Sequence, residues 1–374
     1  MKNSFSTEGG LSNKLPLTNN FHDIVLNNTP LLDVRAPIEY AKGAFLNTTN
    51  IPIMTNEERH LIGIRYKESG NKKAVKLGAE LIDGKPRAER TQAWLEFFKA
   101  NPEGYLYCFR GGQRSKIAQE WLAEAGLVVP RLEGGYKAFR NYLIEQSEKI
   151  TKEQNFIILG GRTGSGKTIL LNKLENSIDL EGLANHRGSS FGRFVTPQPT
   201  PINFENNLAY ELIKKEHKGY RYIVVEDESR NIGANTIPKT LFENYREGAK
   251  RVILETPIDE RVEITYDEYV TQALKSYEEH YGEERALDAW FKDVHSALER
   301  IQKRLGLEIY KQINELFETA HKNSNPQEHK VWIKLLMQKY YDPMYDYQIS
   351  KNPIPIAFKG NKSEVLEFLQ SLSN

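Results

Sequence analysis

The sequence predicts an α/β fold built from two parallel-sheet domains, the second of which continues into a helical part. Short apolar runs typical of buried strands alternate with helical runs over residues 23–125, and the alternation returns over residues 155–254. A chain of 374 residues is also too long for one ordinary core. We therefore expect domains at residues 1–145 and 150–264, followed by helices over residues 265–374.

The first domain is expected to alternate strands with helices. Apolar runs bounded by charged residues, proline or cysteine predict strands at residues 30–35 and 104–108, and a short strand or an extended piece at residues 51–53. Apolar positions at helical spacing predict helices at residues 23–26, 87–100 and 115–125. The polar stretch 145–149 is the expected boundary with the second domain, within a connecting helix.

The second domain is expected to begin with a strand, a glycine-rich turn and a helix. The predicted strands lie at residues 155–159, 220–225 and 250–254, and the last two are followed by acidic residues. The run 169–177 after the turn predicts a helix. From about residue 265 the pattern is helical, and the aromatic-rich stretch 340–352 is expected to be irregular.

Composition and charge exclude several classes of protein. Cys108 is the only cysteine, so no internal disulfide can form, and we expect a reducing, cytoplasmic location. No apolar run reaches the roughly 20 residues that span a bilayer, so no membrane partner is expected. The net charge is +1, so a nucleic acid would have to meet local basic patches rather than a general positive field.

Residues 161–168, GRTGSGKT, match the phosphate-loop pattern G-x-x-x-x-G-K-[ST] in full. Glycines let backbone N–H groups turn toward phosphate oxygens, the lysine adds a positive charge, and the helix beginning at Thr168 offers its positive end. The loop predicts binding of a diphosphate or triphosphate. The candidate ligands are Gly161, Arg162, Thr163, Gly164, Ser165, Gly166, Lys167 and Thr168.

Acidic residues follow one of the predicted strands of the second domain. Asp227, flanked by Glu226 and Glu228, is the natural carboxylate to hold Mg²⁺ together with Thr168. The alternative for each acid is a solvated loop charge, and nothing in the sequence requires a metal. Arg162 in the loop and Arg230 after the acids could meet further negative charge or lie on the surface.

Cys108 lies where a predicted strand ends and a helix approaches. Backbone N–H groups and the side chains of Arg110 and Arg114 would favour its thiolate, so we expect a lowered pKa. Gly111 and Gly112 tolerate the positive φ that a tight turn demands. Such a site suits a nucleophile that accepts sulfur or selenium from an anionic donor. The alternative is an inert cysteine among apolar neighbours.

The motif CFRGGQRS at residues 108–115 resembles the active-site loop of the rhodanese family of sulfurtransferases. Other segments resemble further markers of that family, namely residues 32–40, 43–44, 50–52 and 132–136. The resemblance implies that Asp33 and Arg35 are mainly structural. It also implies that Cys108 carries a persulfide or perselenide.

Four motifs in order resemble bacterial tRNA 2-selenouridine synthases. They are CFRGGQRS, GGRTGSGKT, NHRGSSFG and VVEDESR, and the late YYDPMYDYQ extends the likeness. The resemblance implies a tRNA whose anticodon loop carries wobble 2-thiouridine as partner, with geranyl diphosphate and selenophosphate as co-substrates. It implies no tightly bound cofactor, although Mg²⁺ could take part. An enzyme that produces selenophosphate would be a further partner.

The family's chemistry assigns a role to each motif. The phosphate loop would stabilise departing pyrophosphate while a geranyl group moves to the thiouridine sulfur. Arg110, Gly111, Gly112 and Arg114 would hold selenophosphate, and selenium would then replace the S-geranyl group. Which domain hosts each step stays open. Cys108 could carry selenium covalently or only position selenophosphate, and we favour the covalent route. The rival functions are an ATP-dependent sulfurtransferase or kinase with a fused rhodanese domain and a non-enzymatic nucleotide-binding scaffold.

Basic and aromatic residues of the second half are candidates for contact with tRNA. The candidates are His186, Arg187, Arg193, Arg230, Lys303, Arg304, Tyr340, Tyr341, Tyr345 and Tyr347. Basic side chains could meet phosphates, and tyrosines could stack on a splayed base. The alternative is that the tyrosines pack the C-terminal helices and that His186 and Arg187 line the phosphate-loop pocket.

Overall fold

The computed structural model describes residues 15–323 and 325–372, and the chain forms two compact units. The first unit comprises Met1–Ser147 and Glu205–Lys214, and the second comprises Glu148–Phe204 and Lys215–Asn374. Each unit contains a five-stranded parallel sheet, and the second adds many helices. The predicted α/β class with a helical C-terminal part is confirmed.

The sheet of the first unit has the strand order β1-β5-β4-β2-β3, with every neighbouring pair parallel. Its strands are β1 (Leu17–Thr18), β2 (Leu31–Asp33), β3 (Thr48–Asn50), β4 (Tyr105–Tyr107) and β5 (Arg131–Leu132). The helices are α1 (Phe21–Leu26), α2 (Pro37–Tyr40), α3 (Asn56–Ile82), α4 (Lys85–Ala100), α5 (Gln113–Glu124) and α6 (Gly135–Glu153), the last of which runs into the second unit.

A buried ion pair follows β2 in the core of the first unit. Arg35 and Asp33 are 2% and 0% exposed, and Arg35 Nη2 lies 2.6 Å from Asp33 Oδ2. The same Nη2 donates to the Gly43 carbonyl at 2.8 Å, and the guanidinium lies 4.0 Å from the centre of the Tyr136 ring. Both charges are therefore fully engaged within the core, which is a structural role.

Residues 51–53, expected as a short strand or an extended piece, follow directly after the strand Thr48–Asn50. Ile51 and Ile53 donate their backbone N–H groups to the carbonyls of Asp33 and Val34 at 3.1 Å, which fits the extended alternative. The 27-residue helix α3 was not expected at all. It bends sharply at Gly70, where φ is 77° and ψ is 178°, so that its two arms fold toward each other.

The sheet of the second unit has the order β12-β11-β6-β8-β7, again parallel throughout. Its strands are β6 (Phe156–Gly161), β7 (Ser177–Ile178), β8 (Ile223–Glu226), β11 (Lys250–Leu254) and β12 (Ile356–Gly360). A separate antiparallel ribbon pairs β9 (Asn231–Ile232) with β10 (Asn235–Thr236).

Helices supply most of the second unit. The first are α7 (Lys167–Leu171), α8 (Leu180–Ala184), α10 (Lys239–Arg246), α11 (Ile258–Tyr266) and α12 (Gln272–Tyr281). They are followed by α13 (Glu283–Leu305), α14 (Leu307–Lys322), α15 (His329–Leu336), α16 (Asp342–Lys351) and α17 (Lys362–Ser371). Two π-helical segments (Asp267–Thr271 and Met337–Tyr341) and a 3₁₀ turn (Pro326–Glu328) join some of them. Helix α9 (Pro201–His217) is divided, because its residues Glu205–Lys214 belong to the first unit.

Two local predictions for the second unit are wrong. The helix after the glycine-rich turn ends at Leu171, because Ser177 donates its hydroxyl to the carbonyls of Leu171 and Leu174 at 2.8 Å and closes the turn. The stretch 340–352, expected to be irregular, is helical as far as Lys351. Its proline lies in the first turn of α16, where a missing N–H costs nothing.

Within the described residues, no helix combines the length and the apolar character needed to cross a membrane.

Candidate active sites

The predicted phosphate loop, residues 161–168, joins β6 to α7 at the carboxyl edge of the second sheet. The last residues of β6, β8 and β11 lie side by side at this edge, where ligands of parallel sheets commonly bind. Gly164 and Gly166 have φ of 75° and 82°, a region that other residues rarely adopt. A Cβ on Gly164 would also collide with the Thr265 hydroxyl. The turn therefore needs glycine at these two positions.

Two arginines brace the loop through carboxylates of α16. Arg261 is 3% exposed, its Nε donates to the Thr163 carbonyl at 2.9 Å, and its Nη2 pairs with Asp342 at 2.6 Å. Arg162 pairs with Asp342 at 3.1 Å and with Asp346 at 2.8 Å. The structure thus gives Arg162, a candidate diphosphate ligand, two carboxylate partners.

Lys167 begins α7 and is surrounded by three glutamates. Its Nζ donates to the Gly161 carbonyl at 3.2 Å. Burial alone would lower the pKa of Lys167, but Glu181, Glu228 and Glu226 outweigh it and raise the pKa above its usual value. Lys167 is therefore a cation at neutral pH. The sequence identified Glu226 and Glu228 but not Glu181, which α8 supplies.

Burial changes the proton affinity of the glutamates around the lysine. Burial, together with the neighbouring Asp179 and Glu228, raises the pKa of Glu226 to about 8. Burial also raises the pKa of Glu181 and of Glu228. This wall of the pocket can therefore take up and release protons closer to neutral pH than exposed glutamates do.

The carboxylate beside Thr168 is Glu226 and not Asp227. Thr168 Oγ1 lies 3.4 Å from Glu226 Oε1, at the end of β8. Asp227, which the sequence favoured, instead pairs with Arg246 at 3.0 Å and with Arg251 at 2.8 Å. P-loop enzymes hold Mg²⁺ with a hydroxyl from the loop and a carboxylate at a strand end. Thr168 and Glu226 are the residues that fit this role.

Two π-helical segments, Asp267–Thr271 and Met337–Tyr341, contribute further walls of the pocket. Tyr269 from the first shares a hydrogen bond of 2.6 Å with Ser189, and Tyr341 from the second is 3% exposed. Single π-helical turns occur often at functional sites. These walls and the loop line a cavity of about 140 Å³.

The residues predicted to contact tRNA or to line the pocket lie in different environments in the structure. Arg187, Tyr341 and Tyr345 line the phosphate-loop cavity. His186 is only 6% exposed, and burial together with nearby arginines lowers its pKa. Arg230 is exposed immediately before β9. Arg187 therefore lines the phosphate-loop pocket, as the alternative interpretation predicted, whereas His186 is part of the packed interior.

The tyrosines of residues 340–347 differ in their exposure to solvent. Tyr340 and Tyr341 are 5% and 3% exposed within the aromatic core of the helical part, so neither presents a free ring to a base. Tyr347 is 62% exposed. Lys303 and Arg304 are also exposed, near the end of α13. The packing alternative therefore describes the first two tyrosines and not Tyr347.

Cys108 lies between β4 and α5 in the first unit. It is 3% exposed, and its Sγ lies 3.1 Å from Ser115 Oγ. Gly111, with φ of 62°, brings the loop against Gly135, where a Cβ would collide with the Cys108 carbonyl. Gly112 has φ of −91°. The expectation that both loop glycines serve a positive φ is therefore wrong for Gly112.

The two arginines of the cysteine loop have different environments. Arg114 Nη1 donates to Glu39 at 2.6 Å. Burial would raise the pKa of Glu39, but Arg114 outweighs it and lowers the pKa. Arg110 is exposed, with its guanidinium 5.9 Å from the centre of the Phe109 ring. Arg110 can therefore meet an incoming anion, whereas Arg114 is held by a carboxylate.

Cys108 also lines a wide cleft of about 1020 Å³ in the first unit. Arg110, Gly112 and Arg114 line the same cleft, so the structure brings most of the predicted anion site together. In the part of the chain that the structure describes, no group of three or more histidine, cysteine, aspartate or glutamate side chains is arranged to hold a metal ion.

Comparison with known proteins decides the family. Residues 154–374 match the family model of the tRNA 2-selenouridine synthase AAA domain. The chain belongs to the tRNA 2-selenouridine synthase family. A synthase of this name from Sulfurovum sp. (strain NBC37-1) is 56% identical over 96% of this chain and 99% of its own. Others, from Hydrogenovibrio crunogenus and Pseudomonas aeruginosa, are 48% and 44% identical over 96% and 94% of this chain, and 100% and 97% of their own.

Several residues of the phosphate-loop pocket could not be identified from the sequence. Arg261 and Asp342 brace the loop from helices far away in sequence, and Glu181 and Glu268 reach the cavity from α8 and from a π-helical segment. None of the four belongs to a short motif. The signal available was the acidic and tyrosine-rich character of residues 266–269 and 340–347, which composition alone could not assign to a pocket.

Proposed function

We propose that the chain is a tRNA-modifying transferase that makes 2-selenouridine in two steps. The first step moves a geranyl group from geranyl diphosphate to the sulfur of wobble 2-thiouridine in the anticodon loop. The second replaces the S-geranyl group with selenium from selenophosphate. The observation that carries the proposal is the presence of two built sites in one chain of this family. One is the Lys167 pocket, and the other is the Cys108 cleft.

In the first step, the phosphate loop would bind the diphosphate of geranyl diphosphate. The C–O bond breaks and its electron pair leaves with pyrophosphate, the sulfur forms a bond to the freed carbon, and the nucleoside loses its N3 proton. Lys167 is a half-buried cation in the loop and would stabilise the leaving charge. Mg²⁺ held by Thr168 and Glu226 would add further positive charge. The tyrosines and Met344 of the pocket wall suit an organic substituent.

In the second step, selenophosphate would bind at the Cys108 loop, where Arg110 faces solvent. Selenium attacks C2 of the modified uridine and geranylthiolate leaves with the C–S electron pair. Water then cleaves the P–Se bond, so the products are 2-selenouridine, geranylthiol and phosphate. No oxidant or reductant is consumed. A selenophosphate-producing enzyme of the cytoplasm would supply the donor.

The test is reconstitution with the purified full chain, 2-thiouridine tRNA, geranyl diphosphate and selenophosphate, followed by mass spectrometry of tRNA nucleosides. We expect S-geranyl-2-thiouridine when selenophosphate is omitted and 2-selenouridine when both donors are present. Lys167→Ala should slow geranylation by about 10²–10³-fold, whereas the exposed Lys173→Ala on the turn after α7 should not.

An ATP-dependent sulfurtransferase or kinase would behave differently in the same assay. Such an enzyme would hydrolyse ATP at a rate that depends on tRNA or a sulfur donor, and it would ignore geranyl diphosphate. A nucleotide-binding scaffold would modify no tRNA at all. Either result would overturn the proposal.

A further inference from the structure

The cleft beside Cys108 is mostly apolar and much larger than a small anion requires. Its volume is about 1020 Å³, and its apolar lining includes Met54, Ile62, Ile64, Val75, Ile117 and Trp121. Selenophosphate is a compact dianion that would need only donors and positive charge close to the sulfur. A cleft of this size and polarity is instead typical of sites that enclose an organic ligand.

Helix α3 forms much of the cleft by folding back on itself. The bend at Gly70 divides it into two arms, and residues from both arms line the cleft. Gly78 on the second arm faces Ile62 on the first, whose Cδ1 lies 3.4 Å from the position that a Cβ would take. Near the bend, Asn71 Nδ2 lies 3.5 Å from Gln113 Oε1 at the start of α5.

The apolar lining remains open to solvent although such side chains gain by burial. Ile64 and Val75, one on each arm of α3, are 40% and 38% exposed. Lys67 and Arg110 are exposed basic residues that line the same cleft. The cleft therefore offers apolar surface for a hydrocarbon and positive charge for the phosphates of the molecule that carries it.

We propose that this cleft binds the geranyl chain of S-geranyl-2-thiouridine in tRNA during the selenium step. The inference rests on the proposed function. In that substrate the chain and the reacting carbon C2 are both bonded to the same sulfur atom. A substrate placed with C2 at the Cys108 loop must therefore put its hydrocarbon within a few ångströms of Cys108, which is where the cleft lies. Binding the chain there also positions the leaving thiolate.

The experiment separates the two steps by starting the second one from purified S-geranyl-2-thiouridine tRNA and selenophosphate. Ile64→Glu and Val75→Glu each place a charge in the cleft, and we expect the KM for S-geranyl tRNA to rise at least tenfold. Leu61→Glu is the matched control. Leu61 lies on the same helix and is 48% exposed, but it does not line the cleft. Its KM should stay within twofold of wild type.

A second variant fills the cleft without adding charge. Gly63 lines it, and a Cβ there meets no atom within 4 Å, so Gly63→Leu should fold normally and also raise the KM. Tested on an S-methyl-2-thiouridine tRNA, wild type and all variants should react alike, because a methyl group does not reach the cleft.

The outcomes are distinct. If wild type fails to convert S-geranyl tRNA, the proposed function itself is overturned. If wild type converts it but the cleft variants match Leu61→Glu, the function stands and the geranyl site is overturned. An equal loss on the geranyl and methyl substrates would also overturn the geranyl site, since it would show a general defect of the Cys108 loop.

Discussion

Glu226 ends β8 with its side chain completely buried and has two polar neighbours. It lies 3.4 Å from the Thr168 hydroxyl, and it accepts a hydrogen bond from the Glu181 N–H at 3.1 Å. These contacts place a carboxylate where a P-loop enzyme needs one, but burial makes its ionised form costly. The residue therefore links the stability of the second unit to pH.

The first prediction concerns this link. The pKa of Glu226 is raised by burial to about 8 from an ordinary value of 4.5, so the folded state holds a proton that the unfolded state has lost. The stability contribution is fully present below pH 4.5 and is lost as pH rises through about 8. Glu226→Gln should therefore flatten the fall of the melting temperature between these pH values.

The measurement is thermal unfolding at a series of pH values. Glu216→Gln, at an exposed position near the end of α9, provides the control and should follow the wild-type curve. A Glu226→Gln curve that falls as steeply as wild type would contradict the prediction.

The second prediction concerns Cys108 and its neighbour Ser115 at 3.1 Å. Cys108→Ser should abolish selenium insertion while leaving geranylation at the wild-type rate, because the phosphate loop belongs to a different unit. The phosphorus product identifies the route. Delivery of selenium to C2 releases phosphate, whereas capture of selenium by the cysteine sulfur would leave the P–Se electron pair on phosphorus and release phosphite.

We expect phosphate rather than the covalent capture favoured from the sequence, because delivery of selenium to C2 balances without a redox partner. The product is measured by ³¹P NMR of a wild-type reaction, together with the intact mass of the protein. Phosphite with a selenium adduct on Cys108 would show covalent capture instead. Loss of geranylation in Cys108→Ser would contradict the assignment of the two steps to two sites.

At the scale of elements, α11 and α16 determine how firmly the phosphate loop is held. Arg261 of α11 joins the Thr163 carbonyl to Asp342 of α16 and is almost completely buried. The same helix α11 carries an exposed ion pair between Asp259 and Lys334, with side chains 82% and 43% exposed. The two pairs differ in burial, which allows a matched comparison.

Removing the buried arginine should cost far more than removing the exposed lysine. Arg261→Ala leaves the Asp342 carboxylate without this partner and should lower the free energy of unfolding by about 3–5 kcal/mol. Lys334→Ala should lower it by less than about 1 kcal/mol. Denaturant unfolding of the full chain measures both values. Similar losses for the two variants would show that burial does not increase the contribution of the Arg261–Asp342 pair to the free energy of unfolding.

Elements that local pattern defines were predictable, and those that depend on distant partners were not. The phosphate loop follows from its own eight residues, and β6, β8 and β11 follow from apolar runs. The pairing of Asp227 with Arg246 and Arg251 could not be predicted from the sequence, because both arginines come from other elements. The helix at residues 342–351 was missed because tyrosine and proline have low helix propensity, whereas in the structure it continues directly from the π-helical segment Met337–Tyr341.

At the Cys108 site, too, features of the local motif could be predicted, whereas contacts with distant residues could not. The position of Cys108 after a strand and the positive φ of Gly111 were readable from the motif. The pairing of Arg114 with Glu39 joins residues 75 positions apart, and the cleft depends on α3, whose weak apolar periodicity gave no prediction. Both features need the folded unit to exist before they can be recognised.

At the scale of the whole molecule, neither unit is a continuous stretch of chain. Residues Glu205–Lys214, from the middle of α9, belong to the first unit. Asn206 Nδ2 donates to the Ala44 carbonyl at 2.7 Å, and the Tyr210 ring packs 6.1 Å from the Phe139 ring, centre to centre. The first unit therefore depends on a segment that follows the phosphate loop in sequence.

This dependence predicts the behaviour of fragments. A fragment of residues 1–147 lacks Asn206 and Tyr210, so it should unfold at a lower temperature than the same fragment joined to residues 205–214 through a flexible linker. Replacing Asn206 by Ala in the linked form should remove part of the gain. The comparison is made by thermal unfolding, and equal melting temperatures would show that the α9 segment adds nothing to the first unit.

The position of β12 has a consequence for how the protein is made. This strand pairs with β11 but lies roughly 100 residues later in the chain, so a ribosome working at about 5–20 residues per second needs roughly 5–20 s to supply it. During that interval the side of β11 that does not pair with β6 is an open edge of the sheet on a nascent polypeptide. We infer that the sheet of the second unit is completed only after β12 has been synthesised and that chaperones have time to bind the nascent chain before then.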